Sequence, residues 1–139
     1  MFSKDMLIGI LISSAKVSCR ITRNDAAKIG YEPFARISLR GEKDFVEAFK
    51  RSMLHWNVYC NIKDKESNSR PKPILTIAGY GSLKKIIDEV PDLLPTRQEE
   101  WALFRKFVQM VVDKKHLTQK GLDELLELMG YINGINDNE

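Results

Sequence analysis

The segment DMLIGILISSA, Asp5 to Ala15, constrains this chain more than any other stretch. From Met6 to Ile12 every residue is apolar apart from Gly9. A helix that is apolar on most sides needs apolar partners on most sides. The run is far shorter than the roughly 20 residues that a membrane span requires, so those partners must be protein. Ser3 stands where an N-cap belongs, which predicts a helix over Lys4–Ser14. Gly9 and Ser13 share one helical face and are flanked by Leu and Ile, so a second helix backbone could approach closely there. Burial inside one subunit through Leu7, Ile8, Ile10 and Leu11 would satisfy the same stretch, and neither reading excludes the other.

After this helix the hydrophobic period changes from helical to twofold. In Lys16–Arg23, Val17, Cys19 and Ile21 alternate with Lys16, Ser18, Arg20 and Thr22, which predicts a half-buried strand. NDAAKIGYEP reads as a loop. Phe34–Arg40 alternates again, with Ala35, Ile37 and Leu39 inward and Arg36, Ser38 and Arg40 outward. GEKDFVEAFKRSMLHW carries Phe45, Phe49, Ser52 or Met53, and Trp56 at helical spacing. Val58–Lys63 is expected to be a third strand with Tyr59, Asn61 and Lys63 outward, and Ile74–Ala78 a fourth. Between them KDKESNSRPKP reads as a polar, mobile turn.

The remainder reads as helical. GSLKKIIDEV is a short helix closed by Pro91. A second helix starts at Thr96, with Glu99 completing a capping box. A third starts at Thr118 and is expected to stop near Gly130. Trp101, Phe104, Phe107 and Met110 form a core stripe with no assigned function, and His55 at a helix end is read as structural.

Charge placement narrows the partner. The chain carries 22 basic and 19 acidic residues, a net charge of only +3. None of the acids falls within the expected strands, so the outward sheet face reads as acid-free, basic and rich in hydrogen-bonding groups. Such a face suits a polyanion. The candidate contacts are Lys16, Ser18, Arg20, Thr22, Arg36, Ser38, Arg40, Tyr59, Asn61, Lys63 and Thr76. Arg23, Lys65, Arg70 and Lys72, on strand ends and the long turn, suit phosphates. A merely solvated sheet face is the plain alternative. Cys19 and Cys60 read as free thiols in strand-like segments rather than a disulfide or metal pair. No secretory signal is evident, which places the protein in the cytoplasm, at the nucleoid if DNA-bound.

LIGILISSA, Leu7 to Ala15, resembles a degenerate copy of the LAGLIDADG motif of homing endonucleases. KVSCRI follows where that family has its first DNA-contacting strand. The segment LLPTRQEEWALFRKFVQMVVDKKHLTQKGLDELLELMGYIN resembles the end of archaeal-type members, where a helix with an aromatic–Leu–Phe run precedes an hLT-x-x-G-L turn and another helix. The resemblance spans nearly the whole chain. It implies an α+β fold of αββαββα order, an antiparallel sheet forming a saddle over double-stranded DNA, and extra C-terminal helices. As one domain, residues 1–95 would form the core, 96–132 the C-terminal helices and 133–139 a frayed tail. A single-motif chain would pair with a second copy, with Leu7, Ile8, Gly9, Leu11, Ile12 and Ser13 at the two-fold axis.

The same resemblance exposes a departure. In the family the motif ends in acids, the last of which binds the divalent metal that activates water. Here those positions read Ile12, Ser13, Ser14 and Ala15, with Ser14 at the metal-binding position. A hydroxyl is a poor substitute for a carboxylate on Mg²⁺, and two-metal phosphodiester cleavage depends on such ligands. Asp5 lies about two helical turns upstream, out of reach. The expectation is therefore a homodimeric DNA-binding protein derived from a homing endonuclease, with no catalytic residue, metal or cofactor and no membrane partner. The alternatives are an active Mg²⁺-dependent endonuclease, an RNA-binding maturase-like splicing cofactor, and an interaction module that kept only the dimer.

Overall fold

The computed structural model describes residues 1–90 and 98–137, with the side chains of residues 1–90 and 100–132. The order is α1 (Lys4–Ser14), β1 (Lys16–Arg23), β2 (Tyr31–Arg40), α2 (Lys43–His55), β3 (Asn61–Lys63), β4 (Ile74–Ile77), α3 (Tyr80–Glu89), α4 (Gln98–Val112), a 3₁₀ turn at Lys115–Leu117, and α5 (Gln119–Asp137). This is the αββαββα order read from the sequence, followed by two helices. The strands lie in the order β1-β2-β4-β3. The chain divides into two compact units, Met1–Lys16 with Arg36–Val90, and Val17–Ala35 with Pro91–Glu139.

In the first unit, α1 starts as expected, with the Ser3 hydroxyl accepting from the Met6 N–H at 3.2 Å. Leu7, Ile8 and Leu11 are buried, so α1 spends this face on the chain's own core. It packs on α2, which buries Val46, Phe49, Ser52 and Met53 and in turn covers β3 and β4. Strand β4 pairs antiparallel with β2 and with β3. The register sets Leu39, Leu75 and Ile62 in one row, with Leu39 and Leu75 fully enclosed. Phe2 extends the core, its ring 5.9 Å from that of Phe45.

Three strands differ from the sequence expectation, β4 only in ending at Ile77 rather than Ala78. β3 is shorter than Val58–Lys63, because the Tyr59 N–H is spent on the Ser82 hydroxyl at 3.0 Å and the ladder begins only at Asn61. β2 is longer than Phe34–Arg40. Gly30 turns the preceding loop with φ +83°, and the strand starts at Tyr31 with Pro33 inside it. The long turn between β3 and β4 is tied by its own hydrogen bonds, Ser67 N–H to the Arg70 carbonyl at 3.0 Å and Glu66 N–H to the Lys72 carbonyl at 3.3 Å.

In the second unit, α4 and α5 pack against each other. Their core comprises Trp101, Phe104, Phe107, Val108, Leu122, Leu125, Leu128 and Ile132, as the apolar stripe of α4 suggested. The capping box of Thr96 and Glu99 lies outside the described side chains. α4 ends at Val112 because Lys114 adopts a left-handed conformation, φ +60°. Thr118 then caps α5, its hydroxyl accepting from the Gly121 N–H at 3.1 Å and donating to the Lys115 carbonyl at 3.2 Å. The helix runs through Gly130 to Asp137 rather than stopping, because Leu128 and Ile132 carry the buried stripe past the glycine.

The two glycines of α5 have opposite roles. A Cβ on Gly121 would overlap the Lys115 carbonyl, a backbone group with no freedom to yield. A Cβ on Gly130 meets nothing. Gly121→Ala is therefore expected to destabilise the fold by about 2 kcal/mol through overpacking. Gly130→Ala is expected to stabilise it by about 1 kcal/mol through helix propensity. Urea denaturation of the two variants checks both signs.

Candidate nucleic-acid interface

On β2 in the first unit, strand pleating directs Arg36, Ser38 and Arg40 away from the core that holds Ile37 and Leu39. The register places Ser38 opposite Thr76, with Asn61 on the far side of Thr76. One step along, Arg40 and Lys63 flank Ile74. Arg36, Arg40, Asn61 and Lys63 are exposed and Thr76 is half-buried. Lys16 is exposed at the start of β1. Among the described residues, Lys16 and Arg36 enter no ion pair and are open to an anionic partner.

In the second unit, β1 shows the same parity. Val17 and Cys19 are buried, Arg20 is exposed, Ser18 and Thr22 are half-buried, and Arg23, of the inward parity, is exposed at the end of the strand. Arg20 lies over the Phe34 ring, 5.3 Å from its centroid, so an exposed aromatic of β2 backs an exposed cation. Phe34 was missed as a site residue, although its parity with Arg36 signals an outward side chain.

Several candidates are placed differently from the expectation. Ser38 is 7% exposed, because its short side chain sits between the long side chains of Arg36 and Arg40 along an interior strand. Tyr59 is exposed but precedes β3, where it borders the first turn of α3 with Ser82 and Lys85. The face is not free of acid. The lengthened β2 includes Glu32, of the same parity as Arg36, whose carboxylate accepts from the Asn24 amide at 2.8 Å. A second acid, Glu66, reaches from the β3–β4 turn. Arg40 Nε donates to its Oε2 at 2.6 Å and Nη2 donates to Oε1, while Arg70 Nη1 stands 3.6 Å from Oε1. No local sequence pattern marked this pairing, since 26 residues separate the partners.

The other turn and strand-end cations are partly engaged. Arg23 pairs with Asp25 at 3.2 Å and Lys72 with Glu42 at 3.3 Å, both at exposed sites where such pairs are weak. Lys63 Nζ donates to the Glu66 carbonyl and Lys65 Nζ to the Asn68 amide oxygen. Arg40, Arg70, Pro71 and Lys72 line an open cleft of about 450 Å³.

The C-terminal end of α1 is uncharged. Ser13 donates to the Ile10 carbonyl at 3.3 Å, and the Ser13 and Ser14 hydroxyls lie 3.2 Å apart. Two neutral hydroxyls satisfied by each other and by the helix are not a donor set for Mg²⁺. Among the described residues no group of three or more His, Cys, Asp or Glu side chains is placed to hold a metal. Of the residues assigned to a two-fold axis, Leu7, Ile8 and Leu11 are instead buried within the chain. Gly9 and Ser13 remain exposed, beside exposed Met6 and half-buried Ile10 and Ile12. Cys19 and Cys60 are free thiols, the first buried and the second half-buried. Burial pushes the Cys19 thiol well above its ordinary range and Cys60 up to about 12, the nearby Lys50 only partly opposing the latter.

No family model matches the sequence, and no curated protein matches it. Solved structures do match. The homing endonuclease I-TnaI superposes with TM-score 0.77 at 18% identity, covering 95% of this chain and 88% of that one. The archaeal intron-encoded homing endonuclease I-Vdi141I, complexed with DNA, gives TM-score 0.77 at 18% identity, covering 92% and 80%. The LAGLIDADG homing endonuclease I-LtrWI, bound to target DNA, gives TM-score 0.75 at 17% identity, covering 92% of this chain but 43% of that one. The chain thus has the LAGLIDADG homing-endonuclease fold.

The Arg40–Glu66 pair makes stability depend on pH. The hydrogen bonds from Arg40, with the charges of Arg40 and Arg70, hold the Glu66 carboxyl down at about 2. A carboxyl whose pKa falls on folding contributes fully above its ordinary value of 4.5, and that contribution is lost as pH falls toward about 2. Glu66→Gln is expected to be less stable than wild type at neutral pH, with the gap closing as the solution is acidified below 4.5. Denaturation curves of both proteins across that range measure the gap.

Proposed function

We propose that the chain is a homodimeric reader of double-stranded DNA, derived from a homing endonuclease and without cleavage activity. One observation carries the reading: exposed Lys, Arg and Asn side chains stand on the outward faces of the strands, while the end of α1 offers only hydroxyls. Cations and amides on a pleated surface satisfy phosphates and base edges together. I-Vdi141I and I-LtrWI both hold DNA, and both share this fold. Cleavage of a phosphodiester through Mg²⁺ needs hard anionic ligands, and Ser13 and Ser14 supply none.

The chain spans 43% of the length of I-LtrWI, and it is the surface of α1 that supports pairing with a second copy. The α1 surface left exposed, Met6, Gly9 and Ser13, follows helical spacing along one side. Neither Gly9 nor its surroundings leaves a reason within the chain for the missing side chain, since a Cβ there meets nothing.

Selection from random duplex and random RNA pools, across a salt series with and without Mg²⁺, tests the function. The expected result is an approximately palindromic duplex site, bound uncut, with affinity falling steeply as salt rises. Enrichment of RNA alone favours a maturase-like role and contradicts the reading, as does Mg²⁺-dependent scission of duplex.

Gly9→Ala separates dimer from monomer. In a monomer the change stabilises α1 by about 1 kcal/mol. Against a second α1 helix it forces the backbones apart, and sedimentation is expected to show dissociation to monomers at concentrations where wild type is dimeric.

A further inference from the structure

We propose that Glu66 is a positioning residue that makes Arg40 a reader of base edges rather than a phosphate contact. The inference rests on the DNA-binding reading and assigns a specific task to one pair within it. A guanidinium has five N–H donors in a fixed plane. Glu66 occupies Nε and one hydrogen of Nη2, leaving the outer edge formed by Nη1 and Nη2. That edge presents two parallel donors, the pattern that matches O6 and N7 of guanine in the major groove.

The same two donors also fit a phosphate, and the carboxylate decides between them. An anion approaching Arg40 meets the negative charge of Glu66 in direct contact with the guanidinium, whereas a purine edge is neutral. The carboxyl stays charged, because Arg40 and Arg70 keep its pKa low. The pair is also held in place. Glu66 sits in a turn closed by its N–H to the Lys72 carbonyl and by Lys63 Nζ on its own carbonyl. Arg40 lies on the sheet beside Ile74, which is 8% exposed and forms an apolar floor. Arg40 is exposed and lines the open cleft with Arg70 and Lys72, two cations held only by exposed ion pairs and suited to the backbone.

Three variants test the assignment in the selection format, with thermal melts confirming that each folds. Arg40→Lys keeps the charge and removes the fork. It is expected to retain non-specific binding while guanine preference at one symmetry-related pair of positions falls about tenfold. Arg40→Ala is expected to lose the same preference. Glu66→Gln frees the guanidinium from the carboxylate. It is expected to weaken guanine preference at those positions and to steepen the salt dependence by about one phosphate contact per protomer. The proposal is overturned if Glu66→Gln leaves base preference and salt slope unchanged, or if the Arg40 variants lower affinity for every sequence alike. Absence of duplex binding by the wild-type protein would instead remove the underlying DNA-binding reading, a result distinct from either of these.

Discussion

The twofold period of the strands is the constraint on which the interface depends. Leu39 and Leu75 lie sealed in one row of the sheet, and Ser38, Thr76 and Asn61 lie in the adjacent row on the opposite face. A slip of one residue in β2 would put Arg36 and Arg40 into the core and expose Ile37 and Leu39. Desolvating two guanidinium groups without partners is prohibitive. The need to bury the aliphatic set under α2 therefore also fixes which side chains remain for a polyanion. Structure and the proposed interaction surface come from one pattern.

The α1 helix shows the same economy. Its Leu7, Ile8 and Leu11 are buried within the chain, while Met6, Gly9 and Ser13 stay exposed along one side. Its C-terminal end carries the Ser13 and Ser14 hydroxyls and no carboxylate. The end of a helix is an unfavourable place for an uncompensated carboxylate, because the macrodipole is negative there. Hydroxyls at this end avoid that repulsion.

Much of this was legible in the sequence, and the residues show why. The Ser3 cap, the bounds of α1 and β1, and the Thr118 cap follow from local chemistry that acts within a few residues. The hLT-x-x-G-L pattern proved to be physical: Thr118 caps α5 while Gly121 admits the Lys115 carbonyl. What sequence reasoning missed was non-local. The hydroxyl of Ser82 shortens β3 from a distance. Glu66 reaches Arg40 across a long turn, and Glu32 enters the outward face because β2 begins earlier than its hydrophobic pattern suggests. Leu7 and Leu11 read equally well as interface or core until packing was seen. Periodicity reports which side chains share a face, and it is silent on what covers that face.

The central claim is that this fold holds DNA without cutting it. Hydroxyl-radical footprinting on a selected duplex, with both strands labelled and Mg²⁺ present, tests it most directly. The account predicts protection arranged symmetrically about one centre, on strands that remain full length. Strand scission at that centre, or uniform cleavage with no protected sugar, would contradict it.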